Sequence, residues 1–467
     1  MLFERFEDEG LSQYSYAVGC EAAASIAIVD PRRDIDTYVE FAAARRMRIT
    51  HVLETHIHAD FASGARELAG RTDAALWLSA YDAGEVYDVA YPHSDLRDGD
   101  RLELGRVRIE ALHTPGHTPE HVSFLVYDTA RTAATPELLL SGDFLFVGSL
   151  GRPDLIGNDA KVMLAGRQYD SVRKIAQLPD GVEVHPGHGA GSMCGAGMSA
   201  RTMSTLGFER VANPFLRAGL TREAFVERLL GNLPPFPPYY LRMKALNAQG
   251  APPLDGVPGR RPIPLAEFHS LMEQGHVVID VRDQMAYAGG HVPGAFGLGA
   301  GSNLSTWAAW VVPYDRPLLL VGSDTEAREA ARALVRVGLD DVRGYLEGGM
   351  QGWIDAGYGL TTVRQESPSD VIQELSREPA LQVLDVRTYD EWEAGHVCGA
   401  THLMGGYLPE RAAQLASAGR PVALICQTGY RSTVAASVLE RAGACDVRVV
   451  TGGMIAWEHA GLPVCRE

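Results

Sequence analysis

The second half of the chain repeats itself. Val278-Ile279-Asp280-Val281-Arg282 is followed by Gly290-His291-Val292-Pro293-Gly294-Ala295. Val383-Leu384-Asp385-Val386-Arg387 is followed in the same way by Gly395-His396-Val397-Cys398-Gly399-Ala400. The histidine comes eleven residues after the aspartate in both copies. Each copy closes on a related element, Gly348-Gly349-Met350 with Trp353 and then Gly452-Gly453-Met454 with Trp457. The offset is 105 residues at the start and 104 at the end, a period that means tandem domains rather than a solenoid. Inside each copy, helical spacing (Leu265 to Gln274, Thr433 to Ala442) alternates with short β-rich runs (His276 to Val281, Val422 to Ile425). That alternation calls for an α/β fold with a parallel sheet covered by helices on both faces.

With 467 residues there is room for one more domain ahead of the repeats, at roughly 100–200 residues per domain. A formal charge of −17 repels phosphate backbones, so nucleic acid is not an expected partner. The longest apolar runs are strand-sized, and no membrane span is expected. The acidic N-terminus has no apolar h-region, so a Sec-type signal peptide is not expected and the protein is expected to be cytoplasmic. In that setting the six scattered cysteines, Cys20, Cys194, Cys398, Cys426, Cys445 and Cys465, are expected to be reduced.

The first 245 or so residues carry strand-like runs (Ala24 to Val29, Ile49 to Glu54, Leu76 to Ser79, Arg106 to Ala111, Val122 to Tyr127, Leu138 to Leu140) and helical patterns (Ile35 to Arg46, Lys161 to Leu178). Four strand ends carry histidine or aspartate. They are Thr55-His56-Ile57-His58-Ala59-Asp60, Thr114-Pro115-Gly116-His117, Ser141-Gly142-Asp143 and His185-Pro186-Gly187-His188. Loops at one edge of a sheet can bring such side chains together around a metal ion. His51, His113 and His121 read as structural.

This ordered set resembles the metallo-β-lactamase superfamily over about residues 10–245, which implies an αββα sandwich. Phe61 stands where that signature has a further histidine, and Phe cannot ligate, so a second metal should bind poorly. Gly151-Arg152-Pro153-Asp154 after Ser141-Gly142-Asp143 is similar to the persulfide dioxygenase branch. That resemblance implies one Fe(II) held by His56, His117 and Asp143, with His58, Asp60 and His188 supporting the ligands. It places Arg152 near substrate. A facial set of two histidines and one carboxylate leaves positions open for substrate sulfur and O2 together. Cys194, shortly after His188, is expected on a flexible loop, as a candidate sulfur relay or entrance guard. Cys20, at an apparent turn, Cys398, Cys445 and Cys465 carry no assigned role.

Cys426-Gln427-Thr428-Gly429-Tyr430-Arg431-Ser432 lies between a strand and a helix expected from Thr433. Such a loop presents backbone N–H groups to an anion and favours a thiolate, and Arg431 adds positive charge. With Asp385-Val386-Arg387 and Gly452-Gly453-Met454 it resembles the rhodanese sulfurtransferase domain, whose loop cysteine carries a persulfide. In the first copy Gly322 falls opposite Cys426, and Asp324 and Glu326 make that loop hostile to anions. The first copy is expected to lack sulfurtransferase activity.

The expected organisation is residues 1–246 as a metallo-β-lactamase-fold domain, 247–261 as a linker, 262–363 as a rhodanese-like domain without its cysteine, and 366–467 as a rhodanese domain with Cys426. The expected activity is oxidation of a low-molecular-weight thiol persulfide by O2 to sulfite, coupled to sulfur transfer through Cys426 with thiosulfate formed or used, in sulfide detoxification. A homo-oligomer is expected. One alternative is a mononuclear zinc hydrolase of the glyoxalase II thioesterase type. Another is a sulfur carrier or sensor whose metal domain has degenerated.

Overall fold

In the computed structural model, which describes residues 1–378 and 380–466, the chain forms two compact units. One is made of residues 1–256 with 335–338, and the other of the remaining residues.

The first unit is built on two six-stranded sheets. One takes the first six strands in chain order, Leu2–Asp8, Gln13–Cys20, Ser25–Val29, Arg48–Leu53, Ala75–Ser79 and Ser94–Leu96. Its first three strands pair antiparallel and the rest parallel. The other sheet runs in the order Ser204–Thr205, Glu183–Pro186, Leu138–Gly142, Val122–Asp128, Val107–His113, Arg101–Leu104. One core lies between the sheets, where Val18, Ala27, Val29 and Leu53 meet Val107, Ile109, Phe124 and Leu140. The outer faces bury against helices. Ile26 and Ile28 pack with Tyr38 and Leu68 from helices Asp36–Ala44 and Ala65–Thr72. Leu139 and Val184 pack with Val172 and Phe225 from helices Lys161–Ile175 and Arg222–Leu230. This is the αββα sandwich expected from the sequence. Strands such as Val122–Asp128 are buried on both faces, which is why they read as continuous apolar runs rather than alternating ones.

The second unit holds two five-stranded parallel sheets with the same topology. The first runs Pro262–Ile263, Val342–Leu346, Leu318–Val321, Val277–Asp280, Phe296–Gly297, and the second Arg364–Glu366, Val447–Val450, Val422–Ile425, Gln382–Asp385, Thr401–His402. The duplication extends to individual hydrogen bonds. Arg282 grips Asp280 and donates to the Gly290 carbonyl, and Arg387 grips Asp385 and donates to the Gly395 carbonyl. The Trp353 and Trp457 indoles donate to the carbonyls of Gly359 and Pro463. The repeated sequence motifs are thus the parts of the fold that tie one element to the next.

Three expectations need correction. Helix Tyr239–Gln249 runs past the expected domain end, so Asn247 belongs to the framework of the first unit. The stretch after it is anchored rather than loose, because the Pro252 carbonyl accepts from Arg33 and the Leu254 amide donates to Glu67. The six cysteines are not all free. The strand pair His396–Val397 and Val464–Cys465 brings residues distant in sequence side by side, and Cys398 and Cys465 form a disulfide. Finally, helix Tyr430–Arg441 starts three residues earlier than expected, because Gly429 at φ +115° turns the chain directly into it.

Trp457 is fully buried in the core of the second repeat. Trp457→Ala should destabilise that repeat by about 3–5 kcal/mol, read as a shift in its urea unfolding transition.

Candidate functional site

The loops after four strands converge in the first unit. His56 Nε2 lies 3.9 Å and His117 Nε2 3.4 Å from Asp143 Oδ2. These three atoms are buried and have no hydrogen-bond partner. Orphaned polar atoms in an interior are costly, and three of them aimed at one point suit a cation.

The remaining atoms of each residue are held from behind. The Thr55 hydroxyl donates to Asp30 Oδ2, so it accepts from His56 Nδ1–H at 2.9 Å. His117 Nδ1–H donates to the Arg152 carbonyl at 2.8 Å. Both bonds place the proton on Nδ1 and leave the Nε2 lone pair free for a metal. Burial, then the neighbouring His58 for His56 and His121 for His117, push both pKa values well down, so these rings are neutral, as ligands must be. Asp143 Oδ1 accepts from His188 Nδ1 at 2.7 Å, and the Asp143 amide donates to His121 Nε2 at 3.1 Å. His188 Nε2 in turn meets Asp60 Oδ2 at 2.7 Å. Burial works against a charged His188, but Asp143 and Asp60 on either side raise its pKa well above the ordinary value.

His58 turns the other way. Its Nε2 is 3.2 Å from Asp30, and its ring sits between those of His56 and Phe61. Gly151 passes so close to the Asp143 carbonyl and the His117 ring that no Cβ would fit there.

Arg152 needs correction as a substrate residue, because its donors are spent inside the protein. It makes a two-point pair with Asp154 and donates to the Met193 and Pro235 carbonyls. The motif serves the site through the Arg152 backbone, which holds His117, and through its side chain, which fastens the stretch leading to Cys194. Cys194 itself is buried rather than on an open loop. Its Sγ lies 3.7 Å from the Tyr240 hydroxyl, with donor atoms of Asp60 and His188 nearby. Burial, then the charges of Asp60 and Asp143, raise its pKa well above the usual thiol value.

In the second unit, Cys426 ends strand Val422–Ile425 and is fully buried. The Gly429 amide donates to its Sγ at 3.1 Å. The Met454 amide donates to the Cys426 carbonyl, and a Cβ on Gly453 would collide with that carbonyl, which explains the Gly452-Gly453-Met454 element beneath the loop. Gln427 and Thr428 form the more open part of the turn, while Tyr430, Arg431 and Ser432 occupy the first turn of the helix. Arg431 is paired rather than free, since both its terminal nitrogens bind Glu391 at 2.6 Å, yet its side chain also interacts with Cys426. Burial alone would raise the Glu391 pKa, but Arg431 and Thr388 hold it down at about 2. In the first repeat, the Glu326 carboxylate folds back onto the Ser323 amide and hydroxyl at 2.8 and 2.6 Å. A carboxylate thus takes up the donors that an anionic ligand would need.

Comparison with known proteins places the domains in families. The family model for the metallo-beta-lactamase superfamily matches residues 9–188, and that for the rhodanese-like domain matches 264–356 and 367–460. The solved structure of a metallo-beta-lactamase from Staphylococcus aureus subsp. aureus COL is 34% identical and covers 74% of this chain and 98% of its own, with a TM-score of 0.65. This chain belongs to the metallo-β-lactamase superfamily. Behind its metallo-β-lactamase domain it carries two rhodanese-like domains. A hydroxyacylglutathione hydrolase of Rhodospirillum rubrum is 30% identical over 175 residues, 38% of this chain and 61% of that protein, so less than two thirds of the hydrolase is spanned. The structure of ETHE1 from Myxococcus xanthus is 29% identical over 53% of this chain and 98% of its own, with a TM-score of 0.44.

Several supports of the metallo-β-lactamase site escaped the sequence reading. Helix Tyr239–Gln249 supplies three of them. Lys244 Nζ donates to the Ile57 carbonyl at 2.9 Å, and Asn247 Nδ2 donates to the His58 and Phe61 carbonyls at 2.8 Å each. Tyr240 faces Cys194. Glu120 accepts the Ile57 amide at 3.0 Å. The available signal was the spacing of Tyr240, Lys244 and Asn247, which puts them on one helical face.

Asn247→Ala should weaken metal binding about 10–100-fold, measured by anaerobic equilibrium dialysis. The Glu391–Arg431 pair predicts a pH effect. Glu391 titrates lower in the folded protein than its ordinary 4.5. Its contribution to stability is therefore complete above pH 4.5 and is lost as pH falls toward about 2. Urea unfolding across that window should be less pH-dependent in Glu391→Gln than in the parent protein.

Proposed function

We propose that this protein oxidises a low-molecular-weight thiol persulfide with O2 and passes sulfane sulfur through Cys426. The observation that carries this reading is the set of three unpartnered donors, two imidazoles and one carboxylate, which would hold an ion and leave it positions for substrate and O2. Bound Fe(II) would supply O2 activation with substrate sulfur held beside it. The reaction RSSH + O2 + H2O → RSH + H2SO3 balances, with the terminal sulfur giving up four electrons to O2.

The chain's own residues orient the reactants. Thr55 and Arg152 fix the two imidazole tautomers, His188 holds the Asp143 carboxylate, and Phe61 places an apolar wall against His58. In the last domain, sulfite attacks the outer sulfur of a Cys426 persulfide, and the Cys426 thiolate leaves as thiosulfate forms. The Gly429 amide, already donating to Sγ, stabilises that leaving thiolate. The reverse direction makes the persulfide from thiosulfate. A rhodanese loop in the same chain as the metal site favours sulfur chemistry, because linking them raises the effective concentration of their shared intermediate.

The hydroxyacylglutathione hydrolase similarity favours a second reading, water activated by zinc at the same donors for thioester cleavage. Metal analysis of anaerobically purified protein separates the two. Iron near one equivalent with persulfide-dependent O2 uptake supports the oxidation, and zinc with thioester cleavage and no O2 uptake refutes it. Cys426→Ser should keep O2 uptake and shift product from thiosulfate to sulfite; an unchanged thiosulfate yield would contradict the role of Cys426.

A further inference from the structure

The disulfide at the C-terminal end has no part in the sites described above. Cys398 is exposed and Cys465 half-buried; of the free thiols, Cys20, Cys194 and Cys426 are buried and Cys445 is exposed. The strands that bring the pair together are only two residues long, with His396 opposite Cys465 and Val397 opposite Val464. One further tie beside the pair is the Arg466 Nε–H donating to the Ala394 carbonyl. A disulfide is most readily exchanged where an anionic sulfur nucleophile can reach one sulfur and the other can leave as a stabilised thiolate. Here the reachable sulfur belongs to Cys398, and the leaving sulfur to Cys465, whose next residue is the cationic Arg466. The same cation favours the approach of a small anion. Structural disulfides of small domains substitute for a missing core, but this repeat has its own core around Trp457, Met454 and Ile425. The cross-link is therefore free to open without dismantling the domain.

We propose that the Cys398–Cys465 disulfide is a second sulfur-accepting site, opened by hydrosulfide anion to leave a persulfide on Cys398. The hydrosulfide sulfur bonds to Cys398 Sγ, the Cys398–Cys465 bond breaks, and its electron pair leaves with Cys465 as a thiolate. The incoming sulfide is oxidised to the sulfane level and the Cys465 sulfur is reduced, so no outside oxidant takes part. Attack of the Cys465 thiolate on the inner sulfur of the persulfide expels hydrosulfide and restores the cross-link. The site thus stores sulfane sulfur reversibly according to the sulfide concentration. It uses neither the metal donors nor Cys426, so it goes beyond the proposed function and stands or falls separately.

The test uses the full-length Cys426→Ser chain, purified without reductant, treated anaerobically with sodium sulfide, alkylated with iodoacetamide and digested for mass spectrometry. Before treatment, the peptides containing Cys398 and Cys465 should be cross-linked. After it, the cross-link should be lost and one extra sulfur atom should appear on Cys398. With Cys465→Ala added, Cys398 should gain no sulfur. The proposal is overturned by a cross-link that survives sulfide yet opens with a phosphine, by opening without added sulfur, by sulfur on Cys465 instead, by equal sulfur on the Cys465→Ala protein, or by absence of the cross-link in the purified chain. None of these results bears on persulfide-dependent O2 uptake, which tests the other reading.

Discussion

Asp143 is the residue on which the first unit's site depends. It is completely buried, and each part of it is engaged from a different strand end. Its Oδ1 is held by His188, its amide by His121, and its carbonyl is pressed against Gly151. Only Oδ2 is left over, and it points at the free nitrogens of His56 and His117. A carboxylate in such an interior is tolerated when its charge is matched. His188, whose pKa the two flanking carboxylates raise, supplies part of that match, and a cation at Oδ2 would supply the rest. The two sheets, the glycines and the helix Tyr239–Gln249 all hold this one group and its two histidines in register.

The two rhodanese-like repeats share a fold and differ in the loop after the central strand. Both keep the aspartate–arginine clasp at the end of strands Val277–Asp280 and Gln382–Asp385, and both keep the tryptophan that closes the domain. They differ in what satisfies the backbone donors after the central strand. In the second repeat the Gly429 amide meets the Cys426 sulfur, while in the first the Ser323 amide meets a carboxylate from its own helix. The arginine beside the cysteine is paired with Glu391 and also interacts with the Cys426 sulfur, so the field at Cys426 combines the helix start, the loop amides and a partly balanced cation.

The parts legible in the sequence were those fixed by short-range patterns. The repeat gave the tandem domains, and the order of His56, His117 and Asp143 gave the metal donors that the fold assembles. Contacts over long sequence separations left no such trace. Asn247 sits in a stretch whose prolines and glycines read as a linker, because nothing local says that a helix ends there with its side chain on the His58 loop, some 190 residues earlier. Cys398 and Cys465 meet only because two short strands pair across 67 residues. Arg152 reads as an anion binder because arginine often is one, whereas the fold pairs its guanidinium with Asp154, two residues on. Cys194 looked mobile from its glycine-rich surroundings, while Arg152 and Tyr240 enclose it.

Glu326 closes the loop of the first repeat from within. The carboxylate bonds the Ser323 amide and hydroxyl, and the Gly322 Cα faces the Val281 side chain so closely that a Cβ would press on it at 2.7 Å. A cysteine placed at that one position would therefore meet both a crowded wall and an occupied set of donors. Freeing the loop would need at least two coordinated changes. The packing around Gly322 and the Glu326 carboxylate thus hold this loop in a form that a single substitution does not convert into that of the second repeat.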